Sequence, residues 1–103
     1  MQFDIVICSG ILHHLNDDEC MELFELAHSS LKPQGRMITF DRCYIEEQSK
    51  LAKFFISLDR GKYVRHPEHY IDLAKRKFSH VQVHIRNDLN RIPFTHIIME
   101  CMK

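Results

Sequence analysis

Phe3-Asp4-Ile5-Val6-Ile7-Cys8-Ser9-Gly10-Ile11-Leu12-His13-His14-Leu15 decides how the rest of the chain is read. From Phe3 to Cys8 the run is almost continuously apolar, with β-branched isoleucine and valine at its centre. It does not alternate polar with apolar residues. That is the pattern of a strand covered on both faces, as in a parallel sheet flanked by helices. Ser9-Gly10 breaks the run, and a histidine-bearing turn comes next. Ligands of open α/β sheets sit just beyond the carboxyl ends of the strands. Cys8 to His14 is therefore the first place to look for chemistry.

Downstream, Asn16 is a good helix N-cap, and Glu19 three residues later completes a capping box. Cys20, Leu23, Phe24, Ala27 and Leu31 then fall on one face of an amphipathic helix, which Pro33 and Gly35 are expected to stop. Arg36 to Phe40 reads as the next buried strand, with Asp41-Arg42-Cys43 at its carboxyl end. If the two strands are parallel, they deliver Cys8-Ser9-Gly10 and Asp41-Arg42 to the same rim. Asp41 and Arg42 thereby become candidate substrate contacts.

Glu46 to Leu58 reads as a helix with an apolar face of Leu51, Phe54, Phe55 and Leu58. The basic stretch Asp59-Arg60-Gly61-Lys62-Tyr63-Val64-Arg65-His66 has two readings. Arg60 and Arg65 could grip an anionic substrate group through a guanidinium fork. The same stretch also fits a solvated loop. Pro67 suits a first helical position, followed by Tyr70, Leu73, Ala74 and Phe78 on one face and Lys75 to Lys77 in the last turn. Val81, Val83 and Ile85 alternate with Gln82, His84 and Arg86, as in an edge strand. Asn87 to Arg91 reads as a turn and Ile92 to Met102 as a last strand, so the pair forms an antiparallel hairpin. No repeat or linker interrupts residues 1–103, which read as one domain.

Composition narrows the function. The 103 residues are 45% hydrophobic and 27% charged, as expected of a globular domain. Fourteen basic and fourteen acidic side chains cancel, so no overall field draws the chain to nucleic acid or an anionic membrane. No apolar stretch approaches the roughly 20 residues that span a bilayer. Cys8, Cys20, Cys43 and Cys101 are scattered and read as buried, reduced thiols of a cytoplasmic protein. They form no C-x2-C pair, and no structural zinc site is expected.

Phe3-Asp4-Ile5-Val6 followed by Leu12-His13-His14-Leu15-Asn16-Asp17 resembles the fourth strand and following loop of class I S-adenosylmethionine-dependent methyltransferases. Leu31-Lys32-Pro33-Gln34-Gly35-Arg36 resembles the "LKPGGR" turn ahead of their fifth strand, with Gln34 in place of the commoner glycine. The resemblance covers residues 3 to 41. The family's first strand and glycine-rich loop have no counterpart among the three glycines here, and no G-x-G occurs. The resemblance therefore implies the C-terminal half of a methyltransferase domain.

The same resemblance implies a fold, a cofactor and a set of site residues. The fold would be a partial Rossmann-like α/β sheet: parallel strands, a C-terminal antiparallel hairpin, helices on the faces, and strand order first, second, fourth, third. The cofactor would be S-adenosylmethionine, bound weakly if at all by this chain alone. Cys8, Ser9 and Gly10 would lie beside its methionine end, with Ile11 and Leu12 near the sulfonium or adenine. His14 is the expected proton acceptor, with His13 less favoured, and the methyl acceptor would be a small molecule. The segment after the second strand would help cover that acceptor. The first strand would be central in a full sheet, so its edge is bare here and self-association through Phe3 to Ser9 is expected. Two rival functions remain. One is a non-catalytic module that pairs through that edge, and the other a metal protein using His13, His14 and Cys20.

Overall fold

The computed structural model describes residues 2–43, 63–86 and 95–103. Strand β1 (Phe3–Ser9) leads through a 3-10 turn (Leu12–His14) into helix α1 (Asp17–Ser30). Strand β2 (Leu31–Arg42) follows, then helix α2 (Pro67–Lys75), strand β3 (His80–Arg86) and strand β4 (His96–Met102). The four strands form one sheet in the order β1-β2-β4-β3. β1 and β2 are parallel, and β4 runs antiparallel to both β2 and β3. This is the partial α/β sheet with a C-terminal hairpin expected from the sequence. The sequence-predicted helix at 46–58, the turn at 87–91 and Arg60 lie outside the described residues.

α1 forms where its local signals place it. The Asn16 side chain accepts from Glu19 N–H at 2.8 Å and Glu19 returns the bond to Asn16 N–H at 3.0 Å, a complete capping box. Cys20, Phe24 and Ala27 are buried by the sheet, and Phe24 meets Phe78 edge-on at 6.0 Å. α2 starts at Pro67 and buries Tyr70, Leu73 and Ala74. The basic run after it is matched locally, by Arg76 to Asp72 at 2.7 Å and Lys77 to Glu25 at 2.6 Å. Both helices lie on one face of the sheet, over Met37, Thr39, Ile97, Met99 and Cys101. All four cysteines are free and buried, and burial pushes the Cys43 and Cys101 thiols up to about 12. Among the described residues no helix is long and apolar enough to cross a membrane.

Two expectations need correction. β1 is not covered on both faces. Cys8 is buried and Val6 half-buried against the helices, but Phe3, Ile5 and Ile7 point to the other face and are exposed. The described helices all pack on one side, so alternate residues of an apolar strand are left bare. β2 also starts earlier than Arg36. α1 ends at Ser30, before Pro33, and the ladder already begins at Leu31. The register jumps from Phe3↔Leu31 to Ile5↔Arg36, so Lys32 to Gly35 form a wide bulge inside the strand.

That bulge holds Gln34 at φ 68°, in the left-handed region that disfavours a side chain. Gln34→Gly is therefore expected to stabilise the fold by about 0.5–1 kcal/mol, less than the full strain because glycine loses more freedom on folding. Gly35→Ala should act in the opposite direction. Its Cβ would lie 2.9 Å from the Lys32 carbonyl oxygen and 3.1 Å from that of Asp4, both backbone atoms. Urea denaturation of the two variants checks both signs.

Candidate functional site

The carboxyl ends of β1 and β2 meet a single turn. Ser9 ends β1, and Gly10, at φ 68°, reverses the chain while its N–H donates to Phe40 O at 2.7 Å. The 3-10 turn then closes through His14 N–H to Ile11 O at 3.0 Å and Leu15 N–H to Leu12 O at 3.1 Å. This geometry sets His13 against Asp41, near the end of β2. Asp41 Oδ1 accepts twice from His13, from the backbone N–H at 3.2 Å and from ring Nδ1 at 2.9 Å. Both residues are buried, His13 at 5% exposure and Asp41 at 1%.

The pair has a defined chemistry. An ionised carboxylate only accepts hydrogen bonds, so Nδ1 carries the proton and Nε2 of a neutral ring carries the lone pair. A histidine oriented by a buried carboxylate is the arrangement of a general base with its orienting partner. The other oxygen of Asp41, Oδ2, is buried with no hydrogen-bond partner among the described residues. A buried carboxylate with an unmatched oxygen is costly, and such groups mark functional sites.

A cleft of about 300 Å³ opens beside the pair, lined by Ser9, Gly10, His13, His14, Phe40, Asp41, Arg42 and His96. His14 is exposed, with its ring 4.4 Å from that of His13, and no described carboxylate is bonded to it. His96, opposite Arg42 in the β2–β4 ladder, stacks on Phe40 with centroids 4.7 Å apart. Burial, then the Arg42 charge and His13, hold the His96 imidazole below its ordinary 6.5, against the opposing pull of Asp41. The Cys8 thiol is raised by burial and by Asp41.

The sequence-derived candidates divide accordingly. Ser9, Gly10, His14, Asp41 and Arg42 line the cleft together. Ile11 is exposed at the rim, whereas Cys8 and Leu12 are buried beneath it. Arg65 lies away from the cleft with its guanidinium turned into the protein, beside a shallower depression of about 680 Å³ that includes Tyr63 and His69. Among the described residues, no three His, Cys, Asp or Glu side chains converge as a metal requires. Phe40 and His96 are cleft residues that sequence reasoning missed. Their signal was the strand register, which joins Arg42 to a histidine 54 positions away.

The buried neutral His96 makes a pH prediction. The folded state holds the His96 proton less tightly than the unfolded chain, so the unfolded state takes up more protons as pH falls below 6.5. Stability should therefore decline from about pH 7 to pH 5, and His96→Gln should flatten that decline. His28 is shifted in the same direction, by burial and then by Lys77 and Lys103, and contributes to the remaining slope. Urea midpoints at the two pH values check it.

No protein-family model matches the chain, and no curated protein matches it. Solved structures do match. The pyocyanin biosynthetic protein PhzM superposes with a TM-score of 0.70 over 97% of this chain and 31% of that one, at 16% identity. Human N-acetylserotonin methyltransferase in complex with SAM gives 0.70 over 97% and 29%, at 20% identity. The mitomycin 7-O-methyltransferase MmcR gives 0.72 over 97% and 30%, at 17% identity. At these identities the likeness is one of fold. The chain spans about 30% of the length of these structures.

Proposed function

We propose that the chain is the C-terminal portion of a class I S-adenosylmethionine-dependent methyltransferase, and that its share of the reaction is to hold a small-molecule acceptor and take its proton. One observation carries this reading. The buried His13–Asp41 pair stands at the common rim of two parallel strands, on a fold that methyltransferase structures match over almost its whole length.

His13 is the better proton acceptor of the two histidines, in place of the His14 favoured by sequence. Asp41 orients its ring, leaves Nε2 as the basic atom and stabilises the imidazolium that proton uptake creates. A base so placed contributes about 10²–10⁴ in rate, the remainder coming from alignment. Phe40, His96 and Arg42 border the acceptor, in a cleft whose volume matches a small molecule. The rim fits the cofactor in part. Ser9, Gly10 and Ile11 are accessible to hold it, while Cys8 and Leu12 shape the rim from below. S-adenosylmethionine, when bound, supplies the methyl group as an electrophile on its sulfonium.

Amide chemical shifts during titration with S-adenosylhomocysteine test the reading, because they detect binding as weak as millimolar, about 4 kcal/mol. Shifts confined to Ser9–His14 and Asp41–Arg42 are expected. Shifts at the Tyr63–His69 depression instead of the rim would overturn it.

A second reading has its own observation. Phe3, Ile5 and Ile7 make β1 an apolar edge strand, as a non-catalytic module that pairs through this strand would have. Pairing without any response of the rim to S-adenosylhomocysteine would favour it.

A further inference from the structure

Arg65 stands outside the proposed chemistry, yet it is a fully engaged guanidinium at 6% exposure. Nη1–H donates to Leu12 O at 3.0 Å and to Tyr63 O at 3.1 Å. Nη2–H donates to Leu15 O at 2.7 Å and to Asp17 Oδ1 at 2.9 Å, and Nε–H reaches the same oxygen at 3.1 Å. Leu12 and Leu15 are the carbonyls on either side of the two histidines. Of the two carbonyls between them, His13 O accepts from Tyr63 N–H at 2.9 Å. Three carbonyls of the histidine turn are therefore held from one short segment, 50 to 53 positions downstream.

That segment is itself tied to the strand that carries Asp41. Arg65 bridges Cys43 in parallel fashion, and its N–H donates to the Tyr70 hydroxyl at 3.3 Å. The same hydroxyl donates to Arg42 O at 2.7 Å. Tyr63 and Tyr70 also flank the guanidinium, with ring centroids 5.7 and 5.6 Å from its central carbon. One residue thus links both sides of the His13–Asp41 contact: the turn through its side chain and the end of β2 through its backbone.

We propose that Arg65 is the positioning residue of the site, its fork setting the histidine turn at the height where His13 meets Asp41. This rests on the reading of His13 as the proton acceptor. Asp41 Oδ1 must take both the ring and the backbone N–H of one residue, which leaves the turn little room to shift. A short turn does not hold such tolerance alone and needs support behind it. Only a planar fork reaches two carbonyls and a carboxylate together. A lysine ammonium is a point charge on a flexible stem and cannot.

The test uses the full chain labelled with ¹⁵N. Long-range ¹H–¹⁵N spectra read the tautomer of each histidine, and carbethoxylation reads its accessibility. The wild type should show His13 with its proton on Nδ1 and reacting slowly with the reagent. Arg65→Lys should give His13 a mixed tautomer and raise its modification rate about tenfold, the sign of a local opening, with His80 as an unchanged internal standard. Asp17→Asn weakens the outer anchor, and with it the Asp17–His69 contact at 2.9 Å, from a side chain 46% exposed, and should move His13 in the same direction by less. It also serves should Arg65→Lys fail to fold. His13 tautomer and reactivity unchanged in the folded variants would overturn the proposal, even with a lower melting temperature. A wild type without the Nδ1-protonated form would instead sink the reading of His13 as base, and the reactivity comparison would still decide the role of Arg65.

Discussion

An Ile5→Lys/Ile7→Lys variant is expected to sediment as a monomer at concentrations where the wild-type chain associates. Phe3 is 47% exposed, Ile5 52% and Ile7 68%, all on one face of a strand at the end of the sheet. The opposite end is built differently. β3 presents His80, Gln82, His84 and Arg86, the polar side chains that blunt an edge. β1 has no such protection except Asp4, which is drawn towards Lys32 at 3.7 Å. We propose a second copy of the chain as its occupant. An antiparallel pairing centred on Ile5 sets Phe3 opposite Ile7 and Asp4 opposite Val6, with no like charges facing.

Magnitudes make this association weak and easily broken. Fully burying a side chain of this size is worth about 1.5–3 kcal/mol, so half-exposed ones give about 1 kcal/mol each. Six of them, with backbone bonds at about 0.5–1.5 kcal/mol apiece, only modestly exceed an association cost that starts near 4 kcal/mol. Two lysines on each copy remove most of the apolar term and add repulsion. The dissociation constant should rise at least about a hundredfold, or about 2.7 kcal/mol. Far-UV circular dichroism should not change, since both positions are more than half exposed. A wild type that stays monomeric near 1 mM, about 4 kcal/mol in binding terms, would sink the idea.

The same strand shows what the sequence could and could not reveal. Its apolar run correctly identified a parallel strand and the rim after it, because those depend on local pattern. The run also implied cover on both faces, and a pattern records the surroundings a strand suits, not those it has among these residues. The Asn16–Glu19 capping box was legible because both partners lie within one turn. The choice between His13 and His14 was not. The proposed base is the ring that meets Asp41, 28 residues away, and adjacent histidines look alike until that contact is known. Arg65 was noticed for its charge but read as gripping an anionic substrate group or lying in a solvated loop, since its partners lie on a turn 50 residues upstream. Lys32 to Gly35 looked like a helix stop and turn. The bulge that lets β2 begin at Leu31 depends on its pairing with β1.

Asp41 offers the sharpest separation of holding from chemistry, because alanine and asparagine remove different things. Asp41→Ala deletes the acceptor for both His13 bonds and leaves a buried backbone N–H unmatched, a penalty of about 1–3 kcal/mol, besides a charge-assisted bond of about 1.5–3 kcal/mol. Against this, the variant no longer buries a carboxylate whose Oδ2 has no partner among the described residues, which returns part of the loss. A net destabilisation of about 2–3 kcal/mol is expected, a large share of the roughly 5–15 kcal/mol that holds a domain of this size. Asp41→Asn keeps an oxygen where Oδ1 stood, so the turn should stay in place at a cost near 1 kcal/mol. Its amide can also rotate to offer N–H to the ring, and then Nδ1 must accept and the lone pair leaves Nε2. The asparagine variant should therefore remain folded but lose the pure Nδ1-protonated form of His13. Urea denaturation and ¹⁵N spectra of the two variants measure the two effects independently. Asparagine that costs as much stability as alanine would mean that charge, not the acceptor atom, holds the turn. Asparagine that leaves the tautomer untouched would remove Asp41 as the group that orients the base.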